Sequence, residues 1–535
     1  MLAPTARRCA TMLVGVLVLA SCAFEGVDRR DRRSWALKME AGVKAFRTGD
    51  YRESLARFRV AAGMAEEFID QDHRKGTSFH HFASVQETLG RFAEAEANFK
   101  RALAIYRTAG GSEHSNVAAT LGSLGSLYTL LGRYGEAEPL LQRALTVASK
   151  ADGTDHPIVA AILNAIGQLY FEQGRYAGAG TFFERALSIR KAKFGNNDLR
   201  TIQTTVSLAG LYVALGRYDE ADFFFSHALT VRTALFGPNH PIVANSLGYL
   251  GAVYVRKGKY DKARPLFERA LGIYRERLGR THVRVGAVLV ALANLSRRQG
   301  RYAEAEPQVT RALTIRQKAL GTDHPAVGIA FNAQGNLYRA QGRYDEAGQR
   351  YAKAIAILTK ALGAEHPTVA RTLVGRADLY RRQGRLREAE AMYQQALVRL
   401  GNASAPQDVG LASGYKGLGD VLALQGQYGD AEIRYLKSLE LVKKVVGEDH
   451  PATGRTLMAM ADLFTAEGAH AKAERYYQRA LGILQETLGS EHPDLAKGFD
   501  SYARLLRAAG RARDAAAAAA RAKAIRANTG ADANN

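Results

Sequence analysis

Cysteine, proline and tryptophan are scarce in this 535-residue chain, which has two, 12 and one of them. Both cysteines, Cys9 and Cys22, fall within the first 22 residues, so everything beyond them lacks a disulfide framework or a paired-cysteine metal site and relies on packing alone. Long apolar runs are missing beyond the extreme N-terminus, which excludes a polytopic membrane protein. A hydrophobic content of 47% excludes a largely disordered chain. Catalytic signatures are missing too. No G-x-S-x-G or H-E-x-x-H occurs, and Gly251 to Tyr260, with its glycines and Lys259, has the wrong spacing for a phosphate loop. No enzyme and no cofactor are expected. Glycine is plentiful, at 52 residues, and the formal charge is +22. Long helices broken by glycine turns fit that balance.

The glycines are periodic. Gly90, Gly132, Gly174, Gly216, Gly258, Gly300, Gly342, Gly384, Gly426, Gly468 and Gly510 recur every 42 residues without insertion, the mark of a repeat array rather than of several domains. A further unit around Trp35, Gly42, Gly49, Ser54, Phe58 and Ala61 is one residue shorter between turns. Each unit resolves into two helices. After His156, Leu163, Ile166, Gly167 and Tyr170 lie at i, i+3, i+4 and i+7, and Ala179, Phe183, Ala186 and Leu187 follow the turn at i, i+4, i+7 and i+8. The Gly167 position is never larger than alanine, so the two helices can approach closely. Helix B ends before a second glycine, such as Gly195, Gly237 or Gly279, suited to a left-handed C′ residue.

Small residue, tyrosine (Tyr128, Tyr170, Tyr212, Tyr254, Tyr338, Tyr380), turn glycine, alanine, bulky apolar residue and alanine at these spacings resemble the tetratricopeptide motif. A period longer than the usual of about 34 residues, and the opening His-Pro at His156, His240, His324 and His366, resemble the kinesin light chain subtype. The resemblance covers about residues 34–528 and implies an all-α, right-handed superhelical solenoid of about twelve helix pairs, with helix A lining a concave groove that binds protein or peptide. Gln86, Ser296, Leu422 and Leu506 depart from the tyrosine, and Asp198 and Asp408 from the loop histidine. Residues 529–535 are expected to be disordered.

Arg7 and Arg8, the apolar stretch Met12 to Ala20, and Leu19-Ala20-Ser21-Cys22 resemble the signal and lipobox of a bacterial lipoprotein. That resemblance implies cleavage of residues 1–21, lipidation of Cys22, a linker over 22–33, and attachment at the periplasmic face of a membrane, with Ala23 leaning toward the outer one. The remaining charge is +20. In an exported protein it points away from nucleic acid and toward acidic proteins, with anionic polymer or lipid as the alternative.

Eight histidines share one register: His114, His156, His240, His282, His324, His366, His450 and His492. Packed helices lie about 8–10 Å apart and zinc–nitrogen bonds are about 2 Å long, so no single metal ion joins two of them. They are expected to cap, or to pack between, neighbouring units. The adjacent pair His80-His81 is read as chance. Specificity is expected where the frame does not repeat, on helix A positions that the family turns into the groove. These carry Gln168, Asn294, Asn336, Asp378, Asp420 and Asp462, then Asn164 and Asn332, then Gln203 and Asn245, and toward the helix ends Arg256, Arg297, Arg298, Arg339, Arg381 and Arg382. Carboxamides can bond both edges of a peptide backbone and arginine pairs bidentately with carboxylates. Asparagines hold the peptide in similar light-chain grooves. Repeats over residues 240–382 are therefore expected to clamp an extended, acidic peptide.

Overall fold

The computed structural model describes residues 29–402 and 409–529, and its regular structure there is 24 helices in antiparallel pairs. The leader, Cys22, Asp408 and residues 530–535 lie outside the described residues. The first helices of the pairs, the A helices, are α1 (Arg29–Arg47), α3 (His73–Thr88), α5 (Ser115–Leu130), α7 (Pro157–Glu172), α9 (Leu199–Ala214) and α11 (Pro241–Arg256). They continue as α13 (Val283–Arg298), α15 (Pro325–Ala340), α17 (Pro367–Arg382), α19 (Val409–Leu424), α21 (Pro451–Ala466) and α23 (Pro493–Ala508). The even-numbered helices between them are the B helices, most of them 19 residues long against 16 for A. Helix α1 starts at Arg29, inside the stretch expected to be linker.

Within a pair the small residue sets the approach: a Cβ at Gly167 would come within 2.7 Å of the Phe183 ring. The arginine after the turn glycine folds back over the helix A tyrosine, with Arg175 3.5 Å from the Tyr170 ring centroid and Arg133 3.9 Å from that of Tyr128. These cation–π contacts explain why Gly-Arg-Tyr recurs at the turn.

The loop histidines do more than join neighbouring units. Each N-caps its own helix A, its Nδ1 accepting the amide N–H two residues on, as in His366 Nδ1 from Thr368 at 3.0 Å. The other ring nitrogen reaches 194 residues back. His282 Nε2 meets the Thr88 carbonyl at 3.0 Å, His324 that of Leu130 at 2.9 Å, His366 that of Glu172 at 2.8 Å and His450 that of Arg256 at 2.7 Å, while His492 bonds the Arg298 carbonyl. Every acceptor is the last residue of an A helix. One imidazole therefore caps the N-terminus of its own helix and the C-terminus of the helix five repeats earlier. His240 takes the same place against Gly49. The expectation of contact between neighbouring units is corrected accordingly: a loop histidine bridges successive turns of the superhelix.

The A helices consequently stack end to end in columns, α1–α11–α21, α3–α13–α23, α5–α15 and α7–α17, and the solenoid closes about every five repeats. Head-to-tail stacking sets a helix C-terminus against a helix N-terminus, the favourable order for their dipoles. The six histidines that meet an earlier turn are only 6–8% exposed. His114 and His156, which have no described A helix 194 residues before them, stay half-buried. Asp198 caps α9 with its carboxylate, accepting the Arg200 N–H at 2.9 Å.

Five helices spaced about 9 Å apart stand on a ring of radius about 8 Å. Subtracting about 5 Å for each helix with its side chains leaves a bore of about 3 Å radius. That bore is packed shut in the middle of the chain: α11 is buried without a gap from Pro241 to Gly251, and α13 from Val283 to Ala293.

The seam makes two chemically equal turn glycines unequal. Gly174 has φ +76° and a Cβ there would come within 2.8 Å of Pro367 Cδ; Gly342 has φ +79° and nothing within 4 Å. Alanine at either site takes on the left-handed penalty of about 1–2 kcal/mol, and at Gly174 overpacking adds about 1–3 kcal/mol. Urea unfolding should therefore rank Gly174→Ala clearly below Gly342→Ala. Equal midpoints would argue against contact between turns.

Candidate functional site

The residues expected to line a groove divide into those built into the wall and those that reach the bore. Asn245 is buried, and Arg232 donates to its Oδ1 at 3.4 Å and to Ser246 Oγ at 2.9 Å. Asn164 is also buried. Its Oδ1 is without a partner, beside a gap of about 30 Å³ lined by Gly122, Ser126, Ala161, Arg190 and Gln203. Asn294 spends its amide on the Val290 carbonyl at 3.0 Å, and Asn336 donates to the Asn332 carbonyl at 2.9 Å. Arg256 is half-buried with its own carbonyl in the seam. The long open groove expected over residues 240–382 is thus absent along α11 and most of α13, because five stacked columns close around it.

Beyond that plug the bore becomes polar. Tyr351, Tyr393, Tyr435 and Tyr477 on the B helices each donate a hydroxyl to the A helix of the same unit. The acceptors are Asn336 at 3.0 Å, Asp378 at 2.5 Å, Asp420 at 3.0 Å and Asp462 at 2.7 Å. Arginines link one unit to the next: Arg339 Nη1 stands 3.2 Å from Asp378, and Arg381 Nη2 3.5 Å from Asp420. Arg339 Nε also donates to Tyr351 Oη at 3.1 Å. Burial pushes the Asp378 carboxyl up, but Arg339, Arg381 and the Tyr393 hydroxyl outweigh it and hold the group below the usual range. Desolvation, and after it the charge of Asp378, pushes the Tyr393 phenol well up. Two of the six arginines expected to seize a partner's carboxylates, Arg339 and Arg381, are therefore neutralised internally.

This ladder carries a prediction. Tyr393→Phe deletes a hydrogen bond to a charged acceptor, and Tyr351→Phe deletes one to the Asn336 amide together with the one its oxygen accepts from the Arg339 guanidinium, so each should cost about 1.5–3 kcal/mol. Chemical denaturation should place both variants well below the wild type.

The other cations have fewer counter-charges. Arg297 Nε is buried without a partner, and burial first, then Arg298 and Arg339, pushes its guanidinium down to about 10. Arg382 is exposed at the end of α17. Facing them are residues that the sequence reading missed. Arg455 Nε donates to Asp494 Oδ2 at 2.7 Å, Lys497 Nζ lies 3.8 Å from Asp494 Oδ1, and Arg504 is largely exposed. Burial pushes Asp494 up, but Arg455 and Lys497 hold it well below the usual carboxylate range. Their signal was present in the register that contains Gln203 and Asn245. Read onward, that position holds Ala287, Ile329, Arg371, Ser413, Arg455 and Lys497, turning from apolar to basic where the bore opens.

Nothing in this arrangement resembles a catalytic or metal centre. Among the described residues no three His, Cys, Asp or Glu side chains converge to hold an ion, and no helix is long and apolar enough to cross a membrane. His80 and His81 are packing residues, the first edge-on to Phe99 and the second stacked on Phe58 at 5.4 Å.

The repeat frame is also what relates this chain to others. Matching it with solved structures finds BtubC (BKLC) from P. vanneervenii, at 20% identity over 47% of this chain and 94% of that one, with a TM-score of 0.32. A single-substitution variant of kinesin light chain-like, nearly identical TPR-like repeats from Podospora anserina matches at 23% identity over 37% of this chain and 94% of that one, with a TM-score of 0.30. Comparison with curated proteins returns no match. The family model described as tetratricopeptide repeat matches at residues 36–108, 116–192, 198–276, 284–360, 329–398, 410–486 and 460–528, and a second model of that description at 374–444. With the matched segments covering most of the solenoid and the paired helices packed as that motif requires, the chain belongs to the tetratricopeptide repeat family.

Proposed function

We propose that this protein is a non-catalytic interaction scaffold. Lipidated Cys22 holds it at the periplasmic face of a bacterial membrane, and it takes an acidic segment of a partner protein at the C-terminal mouth of its bore. Tetratricopeptide arrays generally bind proteins or peptides, and the anchor rests on the leader sequence ending in Leu19-Ala20-Ser21-Cys22. The observation that carries the binding reading is the contrast along the A helices. Apolar packing shuts the bore through α13, whereas Arg382, Ser413 and Arg504 stand exposed where it opens. An extended peptide does not fit a bore about 3 Å in radius, so the partner engages the mouth.

Photo-crosslinking residues at Ser413 and Arg504, with Arg387 on α18 (Leu386–Asn402) as a B-helix control, test this during capture from membranes. A partner should crosslink from 413 and 504, and one that crosslinks equally from 387 defeats the mouth. Retention in raised salt separates a structured acidic segment from a diffuse polyanion, whose binding falls steeply as salt is added. Labelled palmitate should enter the wild type and not Cys22→Ala; labelling that survives the substitution removes the anchor.

A further inference from the structure

The seam between the last two turns gathers positive charge in one place. Where α23 stacks on α13, His492 bonds the Arg298 carbonyl and so brings Arg297 and Arg298 beside Asp494 and Lys497. Arg455 arrives one column over, already bonded to Asp494. From the neighbouring repeats Arg339 and Arg382 reach the same space: the Lys497 ammonium feels Asp494, Arg382, Arg455 and Arg339, and the Tyr302 hydroxyl feels Arg297, Asp494, Arg382 and Arg339. Six cations thus converge with two carboxylates, Asp378 and Asp494. The space is open to water, since the Lys497 side chain is 57% exposed and Arg382 is exposed at the end of α17. An excess of four positive charges gathered in one place attracts a counter-ion.

We propose that this vestibule binds a compact, multivalent phosphate-type oxyanion that bridges the second and third turns of the superhelix. Geometry favours a compact ion over an extended acidic chain. The guanidinium and ammonium groups gather around Asp494 from five repeats instead of following the groove, and the bore admits an ion of phosphate size and no parallel strand. Arginines supply the planar, paired donors that match phosphate oxygens, and Lys497 adds a mobile point charge. Because its ligands come from α13, α15 and α17 on one turn and from α21 and α23 on the next, the bound anion staples those turns together. The site shares Arg382 with the mouth described above, so the anion is tested with a small-molecule probe and the partner by crosslinking from Ser413 and Arg504.

Isothermal titration of the full chain with inorganic tripolyphosphate at low ionic strength tests it. Saturable binding of one anion per chain is expected, with a rise in Tm. Arg382→Ala/Lys497→Ala, both exposed and outside the Tyr–Asp ladder, should weaken binding at least tenfold with unchanged helicity. The control Arg311→Ala/Arg387→Ala on the B helices should bind like wild type. Vesicles of phosphatidic acid distinguish a free anion from a lipid headgroup: they should not bind through Lys497, and vesicle binding lost in the double variant would assign these residues to a membrane surface and overturn the anion site. So would the absence of saturable heat, or equal weakening in both double variants. A chain that crosslinks its protein partner at the mouth yet ignores tripolyphosphate would sink this inference alone.

Discussion

Asparagine in place of His282, His324, His366 and His450 together is expected to unwind the superhelix while leaving its helices intact. Asparagine is among the best N-caps, so each A helix keeps its own start, as α9 does with Asp198. What asparagine lacks is the second nitrogen. Each substitution frees a carbonyl at the end of an A helix one turn away, at Thr88, Leu130, Glu172 or Arg256. An unsatisfied buried acceptor costs about 1–3 kcal/mol, and sites this far apart add, so the four together remove on the order of 4–12 kcal/mol from the contact between turns. Contacts within a repeat and with the next repeat are untouched, which is why a solenoid can lengthen without melting. Circular dichroism should hold, the radius of gyration from small-angle scattering should rise, and amide exchange should quicken in the last turns of α3, α5, α7 and α11. His114→Asn/His156→Asn, where only the cap is involved, should leave the dimensions unchanged. Wild-type dimensions in the fourfold variant would show that the histidines do not hold the turns together.

That result bears on how far the sequence could be read. The 42-residue period exposes the helix pairs, the turn glycines and the small residue that lets A meet B, because each is a local constraint repeated in every unit. The number of repeats per turn is not local. It follows from small rotations accumulated over five units, and no single residue records it. The histidine register carried only a partial trace: it is unbroken through His240, His282, His324 and His366, where an earlier turn lies beneath, but it holds equally at His114 and His156, which cap only their own helices, and it lapses at both Asp198 and Asp408. The groove was misread for the same reason. Asn164 and Asn245 occupy concave positions within their own units, yet the closing turn buries them. The tyrosine ladder, by contrast, was legible and overlooked. Helix B carries phenylalanine at 183, 225 and 267 opposite Gln168, Gly210 and Ala252, and tyrosine at 393, 435 and 477 opposite Asp378, Asp420 and Asp462. Donor and acceptor change together, which marks an internal bond and not a free binding position.

Acid should open the same seam before it unfolds the helices. The bridging imidazole must be neutral, because Nδ1 accepts the Thr368 N–H in His366 while Nε2–H donates to Glu172. A second ring proton would point at an amide proton. Burial pushes His282, His366 and His450 down to about 4, and the cations facing them, Arg371 for His366 and Arg455, Arg298 and Arg256 for His450, push the same way. In the unfolded chain these groups titrate near about 6.5. The folded value is the lower one, so their contribution is complete above about 6.5 and is lost as the pH falls toward 4. Each is worth about 3 kcal/mol over that interval at about 1.4 kcal/mol per unit. The carboxylates Asp378, in the ladder, and Asp494, paired with Arg455 and Lys497, are held below their usual range and give way only at lower pH. Two stages follow. Between pH 6.5 and 4 the radius of gyration should grow at nearly constant helicity, and below that the helical signal should fall. The fourfold asparagine variant should start expanded and change much less through the first stage, keeping only what the two seam histidines left in place add, His240, pushed down to about 4 by burial, and His492, also pushed down by burial, together with His80 and His81, pushed to about 3 and about 4 by burial, in the second repeat. Expansion and helix loss at one common pH, in both proteins, would mean that the turns are held by packing alone and that the histidines are only caps.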